Sequence, residues 1–229
     1  MLIGTIFFPL ILSFDKKVAF YKKVKYFIPA SLFTATLFVL WDIWFTDLRV
    51  WGFNSNYVLG YYFYHLPVEE VAFFFIVPYA CLFIYECARV YLAKYDSLEE
   101  LHRWITFMFF GMASSFLYWF NDKLYTGVVC LVVTFILGTH LIVIRRRYMG
   151  WFYVSFFISL IPMLVVNGIL TSKPVVFYDH EQNSGIQLGT IPLEDFLYNL
   201  SMLAMCTGLY EWFKRMHLRY QLRHQKLPS

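Results

Sequence analysis

Long apolar segments separated by short polar connections make up most of the chain. A helix that crosses a hydrocarbon core of about 30 Å needs about 20 residues. Apolar segments near this length occur at Tyr26–Phe45, Leu66–Leu92, Trp104–Trp119, Leu124–Ile144, Trp151–Leu170 and Ile191–Phe213. The apolar segment at residues 1–14 would span only about 21 Å as a helix, so we interpret it as a tilted or incomplete seventh span. The pattern predicts an all-α integral membrane protein with about seven transmembrane helices.

Composition supports a membrane protein and excludes several other classes. The chain is 60% hydrophobic and 15% charged, against about 45–50% and about 25% in soluble domains. Its glycines form neither a G-x-G-x-x-G nor a Gly-Lys-Ser/Thr motif, and its cysteines form no C-x-x-C pair. We therefore expect no nucleotide cofactor and no metal. The basic residues form short clusters between apolar segments, which argues against nucleic-acid binding.

The basic clusters also predict an orientation in the membrane. Of the 19 Lys and Arg residues, all except Arg49, Lys123 and Lys173 lie in alternate connections or in the C-terminal tail. Basic residues concentrate on the cytoplasmic side of membrane proteins. We therefore predict a multi-pass protein of the inner (cytoplasmic) membrane, with its N-terminus outside and its C-terminus in the cytoplasm.

The chain contains an internal repeat with an offset of 125 positions. Identical residues at this offset are Pro67 and Pro192, Glu69 and Glu194, Cys81 and Cys206, Tyr85 and Tyr210, and Glu86 and Glu211. We predict a single membrane domain, residues 1–229, built from two parallel three-helix repeats at about 1–92 and 124–215. A linker helix at about 104–119 joins them, and a basic cytoplasmic tail occupies 216–229. Such repeats are related by a pseudo-twofold axis along the membrane normal.

Paired Pro-x-Glu-Glu/Asp motifs mark the two repeats. They read Leu66-Pro67-Val68-Glu69-Glu70 and Ile191-Pro192-Leu193-Glu194-Asp195. With them, the chain resembles the integral-membrane, non-flavin lycopene cyclases over nearly its whole length, in the single-chain bacterial form of a family that also has heterodimeric and fused members. The repeats differ where Asp42 matches Asn167 and where Glu70 matches Asp195, which leaves open whether the halves are catalytically equal.

The resemblance implies a carotenoid cyclase, an isomerase of the intramolecular-lyase type. The expected activity is that of a lycopene beta-cyclase, which closes the linear ends of lycopene to beta-rings in carotenoid biosynthesis without redox change or cofactor. The implied substrate is lycopene or a related linear carotene, the surroundings are membrane lipid, and other carotenoid enzymes are candidate associates. The residues leave open beta or epsilon rings, one or both ends cyclised, one shared site or two, and the oligomeric state.

Acids inside membrane spans need an explanation, because each costs roughly 2.5–3.5 kcal/mol at a helix centre on insertion scales. Helix capping is one explanation, with proline at the first helical position and Glu69 and Glu194 at the third. However, both motifs carry two adjacent acids, set about 100° apart around a helix. Cyclisation needs a carboxylic acid that donates a proton and a group that accepts one. The candidate catalytic residues are Asp42, Glu69, Glu70, Glu194 and Asp195.

Other polar and aromatic residues near these acids are candidates for substrate binding. Aromatic faces can stabilise a cation by about 0.5–2 kcal/mol each, although aromatic residues also belong to membrane-interface belts. The candidates are Trp41, Phe73, Phe74, Tyr198 and Asn167. Glu86 and Glu211 lie at the opposite, basic ends of their spans, and we interpret them as salt-bridging residues.

One alternative function is a proton-coupled membrane transporter of a small or lipophilic substrate. Acid pairs at the interface of internal repeats also mark ion pathways in transporters. The spans show no clear broken helix at the midplane, since Pro78 and Pro162 lie at non-equivalent positions of the repeat. The lack of a broken helix and the family resemblance together favour the cyclase.

Overall fold

A computed structural model describes residues 1–94, 97–144 and 148–225. Within these ranges the chain forms seven α-helices: α1 (Leu2–Leu12), α2 (Val24–Asp47), α3 (Val68–Tyr91), α4 (Ser97–Trp119), α5 (Leu124–Thr139), α6 (Tyr148–Ser172) and α7 (Leu193–Gln225). A π-helical turn, His140–Ile144, continues α5. The order of helices follows the prediction, and the all-α membrane fold is confirmed. The predicted basic clusters at 145–147 and at Lys226 lie outside the described residues.

Helix length and composition agree with a membrane protein. Among the described residues, four helical segments are long and apolar enough to cross a membrane unaided: Phe20–Asp47, Val68–Tyr91, Leu124–Ile142 and Tyr148–Ser172. Helix α1 has 11 residues, about 16 Å at 1.5 Å per residue. Helix α4 starts seven residues before the predicted span, with a charged first turn, and α7 continues past the predicted end at Phe213 into the basic tail. The tail is therefore helical as far as Gln225.

The two loops that precede α3 and α7 contain short β-strands. They are β1 (Trp51–Phe53), β2 (Tyr62–Phe63), β3 (Leu66–Pro67), β4 (Val176–Tyr178), β5 (Gln187–Leu188) and β6 (Ile191–Pro192). Strands β2 and β3 form one antiparallel hairpin, and β5 and β6 form another with the same register. These strands are not evident from the sequence, because segments of two or three residues are too short to show an alternating pattern.

Contacts between the repeats show a pseudo-twofold relation. Strand β1 pairs antiparallel with β4, and Gly52 lies opposite Phe177, the residue 125 positions later. A β-carbon on Gly52 would clash with the ring of Phe177, so glycine permits this close pairing. At the other end of the bundle, the Tyr85 hydroxyl donates to Glu211 at 3.0 Å and the Tyr210 hydroxyl donates to Glu86 at 2.7 Å. The axis therefore runs from the paired strands, along the helices, to these reciprocal bonds.

Helix packing follows the same relation. Helix α2 packs against α7 as α6 packs against α3, and α1 packs against α3 as α5 packs against α7. Helix α4 packs on α5 and α6 and has no counterpart at the 125-residue offset. The buried core is rich in aromatic residues, including Phe45, Phe74 and Tyr153.

An ionic network closes the end of the bundle opposite the strands. Lys23 and Lys214 bind Glu86 at 2.6 and 2.7 Å, and Arg89 binds Glu211 at 2.7 Å. The side chains of Glu86 and Glu211 are 3% and 7% exposed. The interpretation of both acids as salt-bridging residues is confirmed.

Candidate active site

Three acidic side chains from different helices line one cavity. The cavity has a volume of about 320 Å³, and its walls include Asp42 of α2, Glu70 of α3 and Asp195 of α7. Each carboxyl lies close enough to the others for their charges to interact. The rest of the lining is largely apolar and comes mainly from α1, α3 and α6. The three carboxyl groups therefore lie together in a cavity whose other walls are largely apolar.

Asp195 is held by two tyrosine hydroxyls. Tyr125, at the start of α5, donates to Oδ1 at 2.7 Å, and Tyr178, in β4, donates to Oδ2 at 2.7 Å. Burial, together with the nearby charge of Asp195, raises the pKa of Tyr178 well above its ordinary value of 10. The phenol therefore stays protonated and can donate. Each carboxyl oxygen of Asp195 therefore has a hydrogen-bond donor.

Asp42 and Glu70 have weaker hydrogen bonding than Asp195. Tyr198 donates to Asp42 Oδ1 over 3.4 Å, and Asp42 Oδ2 is buried without a partner. Within the described ranges, the carboxyl of Glu70 has no hydrogen-bond partner, and no Lys, Arg or His lines the cavity. Ionising all three acids would place like charges together in an apolar chamber without a counterion, which costs free energy. At least one of these carboxyls is therefore suited to keep its proton.

The first acid of each motif binds a loop instead of lining the cavity. Glu69 Oε1 accepts from the backbone N–H of Leu59 at 2.6 Å, and Glu194 Oε1 accepts from that of Ser184 at 2.7 Å. These loop residues are 125 positions apart, as the two acids are. Glu194 is 1% exposed and also accepts from the hydroxyl of Thr126 at 2.6 Å. Glu69 and Glu194 therefore fix the loops that precede α3 and α7 to the starts of these helices.

The predicted cap geometry at these helix starts is wrong by one position. Pro67 lies in β3, before the first residue of α3, so Glu69 is the second helical residue and Glu70 the third. Likewise, Pro192 lies in β6 and α7 begins at Leu193. Each proline pairs in a hairpin, Pro67 with Tyr62 and Pro192 with Gln187, so the helix begins at the next residue. The second acid of each motif, which lines the cavity, is then the third helical residue.

The predicted aromatic residues divide into two groups. Phe73 and Tyr198 line the cavity. Trp41 lies behind Tyr198, with ring centroids 4.8 Å apart, and Phe74 is fully buried against Phe38 at 6.3 Å. Trp41 and Phe74 therefore support the wall of the cavity, and the other two form part of it.

The cavity extends along α6 but not along the equivalent face of α2. Met163, Val166 and Leu170 of α6 line it. At the equivalent positions of α2, 125 residues earlier, the sequence has Phe38, Trp41 and Phe45. Phe38 and Phe45 are 2% and 0% exposed, so rings fill the corresponding space in the other half. Asn167 also lines the cavity, at the position that matches Asp42.

Sequence reasoning missed several residues that the fold brings to the site. Trp51, Tyr125, Tyr178 and Asn199 all line the cavity. At the 125-residue offset no residue matches Tyr125, so the repeat did not reveal it. Trp51 and Tyr178 belong to strands that the pattern did not reveal. Asn199 offered a usable signal, since it is a polar residue one helical turn after Asp195 within an apolar span.

Comparison with known proteins identifies one match. A family model described as lycopene cyclase matches residues 1–88 and 122–213. The two matched segments contain the two motifs and leave out the whole of α4. No curated protein and no solved structure was found to match the chain.

Proposed function

The chain belongs to the lycopene cyclase family, whose members are enzymes of carotenoid cyclisation, and on this basis we propose that it is a lycopene beta-cyclase. The reaction is an isomerisation of the intramolecular-lyase type. The observation that carries the proposal is the convergence of Asp42, Glu70 and Asp195 on one apolar cavity that no described basic residue lines. A hydrocarbon substrate and acid–base chemistry both fit such a chamber.

The cyclisation moves protons and leaves the oxidation state unchanged. A proton adds to C2 of the terminal C1=C2 double bond, which leaves a cation at C1. The C5=C6 double bond attacks C1, so that the C1–C6 bond forms and the cation moves to C5. Loss of the proton from C6 then restores a C5=C6 double bond within the ring. One acid and one base are sufficient.

We assign the acid role to the Glu70–Asp42 pair and the base role to Asp195. Asp195 accepts from two tyrosine hydroxyls, so its negative charge is compensated before the substrate arrives. The other two carboxyls have no comparable donors and lie beside this charge. Repulsion in the apolar cavity favours a neutral carboxylic acid there, as a proton donor requires.

Aromatic rings surround the position at which the cation would form. Phe73, Trp51, Tyr125, Tyr178 and Tyr198 all line the cavity. Their faces stabilise positive charge without forming a bond to it, which suits a cation that must lose a proton instead of being captured. Trp41 and Phe74 hold these rings from behind.

The size and position of the cavity support one shared site that takes one end of the substrate at a time. A volume of about 320 Å³ is at the small end of the range for ligand pockets, about 300–1,000 Å³. We propose that one end group enters between α1 and α6, while the remainder of the polyene stays in the lipid. The bicyclic product then requires two successive binding events.

Pigment analysis of a lycopene-accumulating host that expresses the chain tests the proposal. We expect lycopene to be converted to a carotene with beta-rings, with membrane insertion verified by a C-terminal tag. Retention of lycopene by cells with correctly inserted protein would contradict the cyclase and favour a transporter. Epsilon-rings would keep the enzyme class and correct the product.

A further inference from the structure

Asn199 carries a buried amide oxygen without a partner in the wall of the cavity. The residue is 6% exposed and lines the cavity. Its Nδ2 donates to the Met163 sulfur at 3.6 Å, and its Oδ1 has no hydrogen-bond partner among the described residues. An oxygen turned toward the sulfur would meet lone pairs, so the observed orientation of the amide is the favourable one. Asn199 therefore lines the cavity with its amide oxygen unpartnered.

Asn199 lies close to the reacting groups. It follows Asp195 by four residues on α7, which places both side chains on the same face of the helix. Both side chains line the cavity. In the other repeat the equivalent residue is Phe74, which is fully buried. The amide therefore has no polar counterpart at the equivalent position of the first repeat.

An unpaired hydrogen-bond acceptor in this position suits the cationic intermediate of the reaction better than it suits the neutral substrate. An unpaired buried acceptor costs free energy, and a hydrocarbon offers it no hydrogen-bond donor. Once the substrate is protonated, however, it carries a positive charge that the negative end of an amide dipole attracts. An interaction that is stronger in the transition state than in the ground state accelerates the reaction.

We propose that Asn199 is a further catalytic residue, whose amide oxygen contacts and stabilises the carbocation formed during cyclisation. This inference rests on the proposed cyclase function. Asn199 neither donates nor accepts a proton in it. Its oxygen is too weak a base to take the proton that Asp195 receives, so the cation is stabilised without being quenched prematurely.

The test compares two small replacements that differ by one oxygen atom. Asn199→Ser keeps an oxygen at the wall, and Asn199→Ala removes it at almost the same volume. In purified protein supplied with lycopene in lipid vesicles, we expect kcat to fall by about 100-fold in Asn199→Ala, the order reported for the loss of one oriented dipole at a developing charge. Asn199→Ser should retain a clearly higher kcat than Asn199→Ala, with the same KM.

The controls separate this inference from the cyclase function and from a structural role. Ser201→Ala, on the same helix but outside the cavity lining, should keep the kcat of the unmodified protein. Equal kcat values for Asn199→Ser and Asn199→Ala, or a change confined to KM, would overturn the catalytic role of Asn199. Unmodified protein that does not convert lycopene would instead contradict the cyclase function itself.

Discussion

At the scale of single residues, the two adjacent acids at the start of α3, and likewise those at the start of α7, have different surroundings. This difference distinguishes the acids that line the cavity from those that bind a loop. Glu69 and Glu194 accept hydrogen bonds from backbone amides of the loops that precede α3 and α7. Glu70 and Asp195 are turned by about 100° on the same helical turn and line the cavity. A carboxylate that already binds a loop amide is poorly placed to transfer a proton, whereas the second acid faces an apolar chamber.

Amide replacements of the two adjacent acids should therefore behave differently. We expect Glu70→Gln to lower ring formation by about 10²–10⁴-fold, the usual contribution of general acid–base catalysis. Glu69→Gln retains the oxygen that accepts from Leu59, so it should keep most of the activity and lose at most about 2 kcal/mol of stability. Pigment ratios normalised to protein level measure both variants. Equal losses in both would mean that the loop-binding acids also take part in proton transfer.

At the scale of helices and strands, reciprocal contacts join the two repeats at both ends of the bundle. Antiparallel pairing of β1 with β4 closes one end. At the other end, Tyr85 and Arg89 of α3 bind Glu211 of α7, while Tyr210 and Lys214 of α7 bind Glu86 of α3. These acids are nearly buried, and removal of their charge leaves several cations without compensation.

The ionic network around Glu86 and Glu211 should consequently contribute strongly to stability. We expect Glu86→Gln to destabilise the protein by about 3 kcal/mol, which corresponds to roughly 6–12 °C in melting temperature for a chain of this size. Thermal unfolding in detergent micelles measures the effect. The control is Asp47→Asn, which removes an exposed pair with His65 and should cost less than about 1 kcal/mol. Similar shifts for both variants would show that the network adds little.

The sequence predicted the elements better than it predicted the site. Hydrophobic length and the 125-residue repeat were sufficient to place the helices, because both depend on many residues. The contact of Asp195 with Tyr125 and Tyr178 could not be predicted, since it joins three elements that are distant along the chain. The position of Pro67 before α3 was also missed, because it depends on a two-residue strand pairing.

At the scale of the whole molecule, the helices and strands follow a pseudo-twofold relation, but the cavity between them does not. The pseudo-twofold relation exchanges helices and strands, but the cavity lies against α6 and not against the equivalent face of α2. The cause is visible in the aligned repeats, where Phe38 and Trp41 stand in place of Met163 and Val166. The aligned repeats therefore share the arrangement of helices and strands, and residues that differ between α2 and α6 determine where the cavity lies.

The orientation of this frame in the membrane is a prediction that labelling can test. We expect Ser55, in the exposed loop after β1, to face the outside, and Arg219, exposed near the end of α7, to face the cytoplasm. Single cysteines at these positions, in a protein whose native cysteines are replaced, should react with a membrane-impermeant reagent from opposite sides. Reaction of the Ser55→Cys variant only from the cytoplasmic side would invert the topology and move the acids to the inner leaflet.

Blocking the cavity should stop both cyclisations if the two ends use one site. Met163→Phe places in α6 the ring that α2 carries at the equivalent position 38, and so fills the cavity between Asn199 and α1. Even one methylene in a fitted pocket changes discrimination by about 10- to 200-fold, so we expect a fall of at least tenfold in all ring formation, with lycopene retained.

Leu164, the exposed neighbour of Met163 on α6, provides the control for the Met163→Phe substitution. Leu164→Phe adds a similar volume on the outer face of α6, where Leu164 is 38% exposed, and it should leave the pigments unchanged. The comparison also distinguishes one site from two. If α2 and α7 formed a second competent site, Met163→Phe would still produce cyclic carotene, because the other half would be untouched. Complete retention of lycopene, at normal protein level, is expected only when every substrate end must enter the cavity beside α6.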